Sequence, residues 1–268
     1  MPTPFDFLTV AYERRALLGQ LVRRDLESRY KGSMAGIIWA FVTPMAMLAA
    51  YAFVFGVVFR AKWGGADSDP TVFALNMFAG MTVHQFFCEI LSRAPRLVID
   101  NVNFVKRVVF PLELLVWSLL GSALVHGVIG LAILAGFKLI VDGSLPATAP
   151  LAILILLPLT LFALGIGWVL AALGVFVRDI SQFMAVITSL LLFLSPVFYP
   201  ASALPAGFRA AVYLNPLTYA IEQTRRVMID GSAPDWGLLG VALLLGWLVA
   251  WFGFAFFQRT RGAFADVV

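Results

Sequence analysis

The chain has 268 residues, of which 61% are hydrophobic and 13% are charged, and its formal net charge is +4. Soluble domains carry about 25% charged residues, and a soluble protein with a mean hydropathy of +0.93 would expose apolar patches that cause aggregation. This composition excludes an ordinary soluble protein and predicts an integral membrane protein. The one cysteine, Cys88, excludes an internal disulfide and a metal site with several thiolates from one chain.

Residues 8–31 form the first predicted element, an amphipathic helix lying in the plane of the cytoplasmic membrane interface. Its apolar side carries Leu17, Leu18, Leu21, Val22 and Leu26, and its polar side carries Arg23, Arg24, Glu27 and Lys31. Acid-to-base spacings of four residues predict the pairs Asp25–Arg29 and Glu27–Lys31. The alternative is a solvated, positively charged flank without a partner, which is common before a first membrane span.

Six apolar stretches long enough to cross a bilayer as helices follow in the chain. They cover residues 36–59, 71–91, 112–140, 151–177, 180–198 and 236–257. The predicted fold is therefore all-α, with residues 1–268 forming one membrane domain and its six spanning helices lying between 36 and 257. Residues 199–235 are too polar to span and are rich in proline and aromatic residues.

The distribution of basic residues predicts the orientation of the chain. With the N-terminus in the cytoplasm, 13 of the 19 Lys and Arg residues fall on cytoplasmic segments and 6 fall outside. Positive residues favour the cytoplasmic side, so both termini are expected there.

Motifs for catalysis or nucleotide binding are absent from the sequence. It contains no G-x-x-x-x-G-K-[ST] phosphate loop, no H-E-x-x-H and no G-x-S-x-G. We therefore expect no enzyme activity, no metal and no cofactor in this chain.

Three features inside the spans predict contacts between helices. His126 lies in the middle of the third span, where its ring is expected to hydrogen-bond to protein, with a transport role as the alternative. Glu89 and Arg93 are spaced for an ion pair. Small residues repeat every four positions in the fourth span, at Ala163, Gly167 and Ala171, and predict a packing stripe.

An aromatic stripe lies on the first span. Phe41, Tyr51 and Phe55 share one helical face, and Phe198 and Tyr199 close the fifth span. Such rings pack against lipid or neighbouring helices, or they form a track for sugars, whose apolar C–H faces cover aromatic rings.

Three segments in order resemble the ABC-2 type permeases that export cell-surface polysaccharides. They are residues 23–59, which begin RRDLESRYKGSMAGIIW, residues 101–115, NVNFVKRVVFPLELL, and residues 194–231, which contain SPVFYP and NPLT. The S-R-Y-K-G-S and V-K-R-V-V-F-P-L-E elements are most similar to those of the O-antigen exporters of lipopolysaccharide biosynthesis.

This resemblance implies a function and a set of partners. Such a permease lies in the bacterial inner membrane as a homodimer and binds two copies of a cytoplasmic ABC ATPase, which carries the ATP and magnesium. The substrate is a polysaccharide on undecaprenyl diphosphate, which passes through a channel between the two permease copies; no nucleic acid is involved.

The resemblance also implies roles for particular residues. The lipid diphosphate is expected at Arg23, Arg24, Arg29 and Lys31. The channel lining is expected at Phe41, Tyr51, Phe55, Phe198 and Tyr199, and residues 199–235 are expected to form short re-entrant gate helices. Coupling to the ATPase is expected at Arg96, Asp100, Lys106, Arg107, Arg178 and Asp179, although Arg178 and Asp179 also suit a purely local role in a tight turn.

Other functions remain open from the sequence. A permease for teichoic acid or capsular polysaccharide has the same architecture, as does an ABC-2 exporter of drugs or lipids. A membrane glycosyltransferase is a third class, but it requires convergent acidic residues or a metal site that the sequence does not offer at one membrane face.

Overall fold

The computed structural model describes residues 3–31, 33, 36–59, 63, 70–105 and 110–267. Within these ranges the regular structure is entirely helical. The α-helices are α1 (Asp6–Glu13), α2 (Arg15–Tyr30), α3 (Trp39–Tyr51), α4 (Pro70–Arg93), α5 (Val102–Val105), α6 (Glu113–Asp142), α7 (Ala152–Phe176), α8 (Ile180–Leu194), α9 (Ala206–Tyr213), α10 (Pro216–Met228), α11 (Trp236–Thr260) and α12 (Phe264–Val267).

Three of the described helices are long and apolar enough to cross a membrane. They are α6, α7 with the 3₁₀ turn before it, and α11 with the turn after it. The other three predicted spans coincide with α4, with α8, and with α3 and the π-helix Ala52–Val58 that continues it. The all-helical membrane protein is confirmed, and the number of crossings stays a prediction.

Helix α7 lies at the centre of the bundle and packs backbone to backbone on α11. A Cβ added at Gly246 would lie 2.6 Å from the carbonyl oxygen of Pro158, and one added at Gly253 would overlap the carbonyl oxygen of Gly165. Glycine therefore permits this close crossing. Helices in a membrane associate through such small residues, because burying apolar surface away from lipid gives little free energy. The predicted stripe on α7 is also confirmed as buried packing surface, since Gly167 lies against Val116 of α6.

The predicted single helix over 8–31 is wrong, because the structure has two helices that meet at Arg14. Helix α1 inserts the fully buried Phe7 among aromatic rings, with ring centres 5.0 Å from Trp247 and 6.0 Å from Trp168. Helix α2 packs along α6, where Val22 fits against Gly121. The N-terminal segment is therefore attached to the bundle by its own apolar contacts.

The end of the bundle at which α4, α7 and α11 finish and α6 and α8 begin is called here the terminal end. Arg261 reaches Glu113 at 3.2 Å across it, and Phe264 packs between Phe176 and Phe257. The segment after α4 lies directly on α7, because Gly174 leaves room for the carbonyl group of Pro95.

The opposite end is called here the loop end. The expected short helices between 199 and 235 are present as α9 and α10, with a 3₁₀ turn over Ala201–Ala203 before them. Helix α10 is largely buried and packs on α4 and α7. Whether these helices re-enter the membrane stays a prediction.

Substituting Gly253→Ala is expected to weaken the α7–α11 crossing, because the new methyl group would overlap the Gly165 backbone. Overpacking of this kind costs about 1–3 kcal/mol, so the thermal unfolding midpoint of the purified protein in detergent should fall. Gly240→Ala is the matched control on the same helix, since nothing lies within 4 Å of its added Cβ. Equal midpoints for the two variants would contradict the glycine-dependent crossing.

Candidate functional site

A cavity of about 590 Å³ opens among α2, α3, α4, α6 and α8. Its apolar wall comes from α3 and includes Trp39, Pro44 and Met47. Its polar wall is formed by Arg29, Tyr30, Thr43, Thr82, His84, Gln85, Glu89, Ser92, His126, Thr188 and Ser189. Polar groups at membrane depth are costly and mark functional regions, so this cavity is the main candidate site.

A charged network lies at one side of this cavity, and Glu89 is its centre. The carboxylate of Glu89 accepts from Arg29, from Arg93 Nη1 at 3.1 Å and from His126 Nδ1 at 3.1 Å. Arg93 Nη2 also donates to Asp25 Oδ1 at 2.6 Å. We call Asp25, Arg29, Tyr30, Glu89, Arg93 and His126 the Glu89 network. The predicted Glu89–Arg93 pair and the hydrogen bonding of His126 to protein are both confirmed.

The ion pairs that the sequence predicts within α2 do not form, because their acidic members pair with other residues. Asp25 bonds to Arg93 and Arg29 bonds to Glu89, so the predicted Asp25–Arg29 pair is wrong. Glu27 pairs with Arg23 at 2.7 Å, and its predicted pairing with Lys31 is wrong too. Partially buried partners on other helices displace local pairs because ion pairs gain strength when water is excluded.

Tyr30 completes the network on the side of His126. Its hydroxyl lies 3.1 Å from His126 Nε2. Burial raises the pKa of Tyr30, so the hydroxyl keeps its proton at neutral pH and can donate it. On the other side of the ring, His126 Nδ1 lies 3.1 Å from Glu89 Oε2 and 3.0 Å from Arg29 Nη1. The charges of Arg29 and Arg93 balance those of Asp25 and Glu89.

Arg29 is the most exposed arginine of the Glu89 network. Its side chain is 43% exposed, against 34% for Arg93 and 11% for Glu89. It also lines the cavity, so a guanidinium group faces the open space there. Such a group binds phosphate or carboxylate through paired hydrogen bonds.

The other residues expected at the lipid diphosphate do not converge on Arg29. Arg23 is exposed and pairs only with Glu27 among the described residues. Arg24 Nη2 donates to Asn101 at 3.2 Å and its guanidinium lies over the ring of Phe104. Lys31 is exposed at the end of α2.

A second cavity, of about 720 Å³, lies at the terminal end. It brings together Arg96, Asp100 and Arg178 from the expected ATPase-coupling set, beside Gly174 and Val267. Asp179 follows Arg178 and is exposed just before α8. Lys106 and Arg107 lie outside the described residues.

Four of the expected channel-lining residues form one connected group, and the fifth, Phe41, lies apart from them. Phe55 stacks on Phe198 with ring centres 6.0 Å apart, and Tyr51 lies 6.4 Å from Phe55. The Tyr199 hydroxyl donates to the carbonyl of Phe193, whose ring in turn contacts Phe198. Phe41 is exposed and makes no ring contact with the rest of the described chain.

Arg225, on α10, is a functional candidate that the sequence analysis missed. Its side chain is almost fully buried and donates hydrogen bonds to the carbonyls of Asn76, Pro196 and Val197. Burial lowers the pKa of Arg225 to about 10, which leaves the group charged at neutral pH. The spacing Leu217, Ile221, Arg225 places it on the apolar face of α10, and this signal would have predicted its burial.

Comparison with known proteins identifies the family of such chains. The model of the ABC-2 type transporter family matches residues 16–229. The O-antigen export system permease protein RfbA of Myxococcus xanthus is 26% identical over 261 residues, which cover 96% of this chain and 97% of that protein. The polysialic acid transport protein KpsM of Escherichia coli is 22% identical, covering 90% and 92%. The daunorubicin resistance permease DrrB1 of Streptomyces coeruleorubidus is 28% identical, covering 74% and 73%.

Substituting Glu89→Gln is expected to loosen α2 from the bundle, because Arg29, Arg93 and His126 lose a shared carboxylate. Removing one member of a partly buried network costs about 2 kcal/mol once the exposure of Arg29 is allowed for. Amide exchange in α2 should rise and the unfolding midpoint should fall. Glu27→Gln is the control, since its exposed pair with Arg23 contributes little; equal effects would contradict the network.

Proposed function

The chain belongs to the ABC-2 type transporter family, and we propose that it is the membrane subunit of an exporter that moves undecaprenyl-diphosphate-linked polysaccharide of the O-antigen class. A separate ABC ATPase supplies the energy, since the sequence has no phosphate loop of its own. The permease subunits of this family are not catalytic, so the chain itself has no enzyme activity to explain.

One observation carries this proposal: the similarity to an O-antigen export permease runs over nearly the full length of both chains. At 96% coverage it must include α2 near the start and most of α11 near the end. The similarity to the daunorubicin permease covers about three quarters of each chain. A glycan also suits a cavity lined by several hydroxyl groups and the amide of Gln85, since sugar hydroxyls exchange their water for such partners.

Arg29 is the residue we propose to receive the lipid diphosphate. It is exposed to the cavity, and its carboxylate partner Glu89 is shared with Arg93 and His126. A diphosphate can therefore bind Arg29 in place of Glu89, which keeps Arg93 and His126 as partners. Arg23, Arg24 and Lys31 would attract the anionic headgroup at the surface of α2, at about 1 kcal/mol each.

The path of the glycan is proposed along the aromatic rings. Tyr51, Phe55, Phe198 and Tyr199, with Phe41 near the start of the first span, offer faces to pyranose rings. Two copies of the chain form the channel. Each copy docks one ATPase at the terminal end, through the cavity that Arg96, Asp100 and Arg178 line, with Asp179, Lys106 and Arg107 beside it in sequence.

This assignment places the protein in the bacterial inner membrane. Both termini face the cytoplasm, where the ATPase and the excess of Lys and Arg would lie. The terminal end is then the cytoplasmic end, and the loop end faces outwards.

Complementation tests the proposal directly. The chain and its partner ATPase are expressed in a strain that makes undecaprenyl-linked O-antigen but lacks its own export permease. Glycan should appear at the cell surface, and Arg29→Gln should lower its amount at least about tenfold, because a charge-assisted contact to phosphate is lost. Arg15→Gln, an exposed arginine of the same helix that contacts only Tyr12 in the described chain, serves as the control.

Two results would contradict the proposal. Surface glycan that is absent with the unaltered chain, at normal levels of the complex, would reject O-antigen export. Normal export by Arg29→Gln would reject the role of Arg29. A strain that makes capsular polysaccharide, used in parallel, separates the capsule alternative that the similarity to KpsM suggests.

A further inference from the structure

Three separate segments of the chain meet at the side chain of Arg225, near the loop end. The residue is only 3% exposed, and its guanidinium group donates in three directions. Nε donates to the carbonyl of Asn76 on α4 at 2.9 Å. Nη1 and Nη2 donate to the carbonyls of Pro196 and Val197 at 2.6 and 2.8 Å.

The acceptors explain why an arginine is needed at this position. Pro196 and Val197 lie in the non-helical chain that follows α8, which ends at Leu194, so their buried carbonyl groups need hydrogen-bond partners from elsewhere. A cation just beyond the C-terminus of α8 also interacts favourably with the dipole of that helix. Only the planar fork of arginine reaches acceptors on two backbone segments at once.

Helix α4 makes room for this contact with a glycine. A Cβ added at Gly80 would lie 2.9 Å from Arg225 Nη2 and 3.1 Å from the Cα of Val197. The absence of a side chain at Gly80 thus lets the guanidinium group sit between α4 and the chain that leaves α8.

The other end of α10 is tied to the same region. Asn215 accepts from the amide of Leu217 to cap α10, and its Nδ2 donates to Ser195 Oγ at 2.9 Å. Glu222, in the middle of α10, accepts from Arg225 and from the amide of Ala201. Helix α10, the end of α8 and the middle of α4 therefore form one connected unit at the loop end.

A buried charge is a costly way to hold helices together. Apolar residues of similar volume often stabilise a protein as well or better, whereas directional hydrogen bonds define one arrangement among several. Packed elements also switch between discrete arrangements and do not deform continuously. Arg225 has the properties of a group that defines such an arrangement.

We propose that Arg225 is a positioning residue that locks α10 to α4 and to the end of α8, and so keeps the loop end closed until these helices move together. The inference rests on the proposed function, because closure matters only if the chain conducts a solute. It adds a residue and a mechanism that the export proposal does not contain.

The role of Arg225 is tested by measuring sucrose leakage together with the coupling of ATP hydrolysis to glycan transport. The full chain with its ATPase is reconstituted in vesicles, and efflux of trapped sucrose, ATP hydrolysis and glycan transport are measured. Arg225→Gln should raise sucrose efflux at least about tenfold. The loss of hydrogen bonds from a charged group changes the equilibrium between closed and open states by that factor or more. ATP hydrolysis should stay within about twofold while glycan transport falls, a split that mere loss of folded protein does not produce.

Two variants on the same helix sharpen the result. Arg226→Gln should leave the vesicles sealed, because Arg226 is exposed and donates only to Ala233 among the described residues. Arg225→Lys keeps the charge but cannot span the acceptors, so it should leak as well. Sealed vesicles with Arg225→Gln, or wild-type behaviour of Arg225→Lys, would overturn the proposal.

A further pair of variants covers the case in which Arg225→Gln does not assemble. Gly80→Ala keeps Arg225 but displaces its guanidinium group, and Gly136→Ala adds a methyl group where nothing lies within 4 Å. Leakage confined to Gly80→Ala supports the lock, and sealed vesicles overturn it. Wild-type vesicles that transport no glycan would reject the proposed export function, while the sucrose comparison would still decide the role of Arg225.

Discussion

Charges that leave water must find their partners inside the protein, and this constraint organises the structure around α4. Near one end of α4, Glu89 and Arg93 hold the N-terminal helix α2 through Arg29 and Asp25. About 20 Å along the same helix, the carbonyl of Asn76 and the space beside Gly80 receive Arg225 of α10. One helix therefore connects the cavity entrance with the loop end.

The rest of the bundle is held by a different kind of contact. Helices α7 and α11 cross through glycines whose backbones touch, and such an interface has little freedom to rearrange. Helices α2 and α10 also pack through apolar side chains, but the contacts that fix their ends are hydrogen bonds and ion pairs, which can exchange partners. In the proposed exporter, this contrast would separate a fixed frame from the two elements to which we assign substrate binding and release.

The sequence predicted the features that depend on local pattern. Hydropathy located α6, α7 and α11, a spacing of four located the Glu89–Arg93 pair, and three motifs indicated the family. Contacts distant in sequence were not accessible: Arg29 meets Glu89 across 60 residues and His126 across 97. The same long-range partners overruled the expected pairs within α2, and long-range partners also hold Arg225, whose three carbonyl acceptors are 28 or more residues away in sequence. The break at Arg14 gives no signal in the hydrophobic pattern.

The pairing of Arg29 with Glu89 is the central claim of this account, and a double-mutant cycle measures it most directly. Unfolding free energies of the unaltered protein, Arg29→Gln, Glu89→Gln and the double variant give the coupling between the two side chains. Contacting residues in one network couple by about 0.5–3 kcal/mol, and we predict about 1–2 kcal/mol here because Arg29 is partly exposed. Additive losses, with a coupling below about 0.3 kcal/mol, would show that α2 is held without this ion pair and would contradict the account.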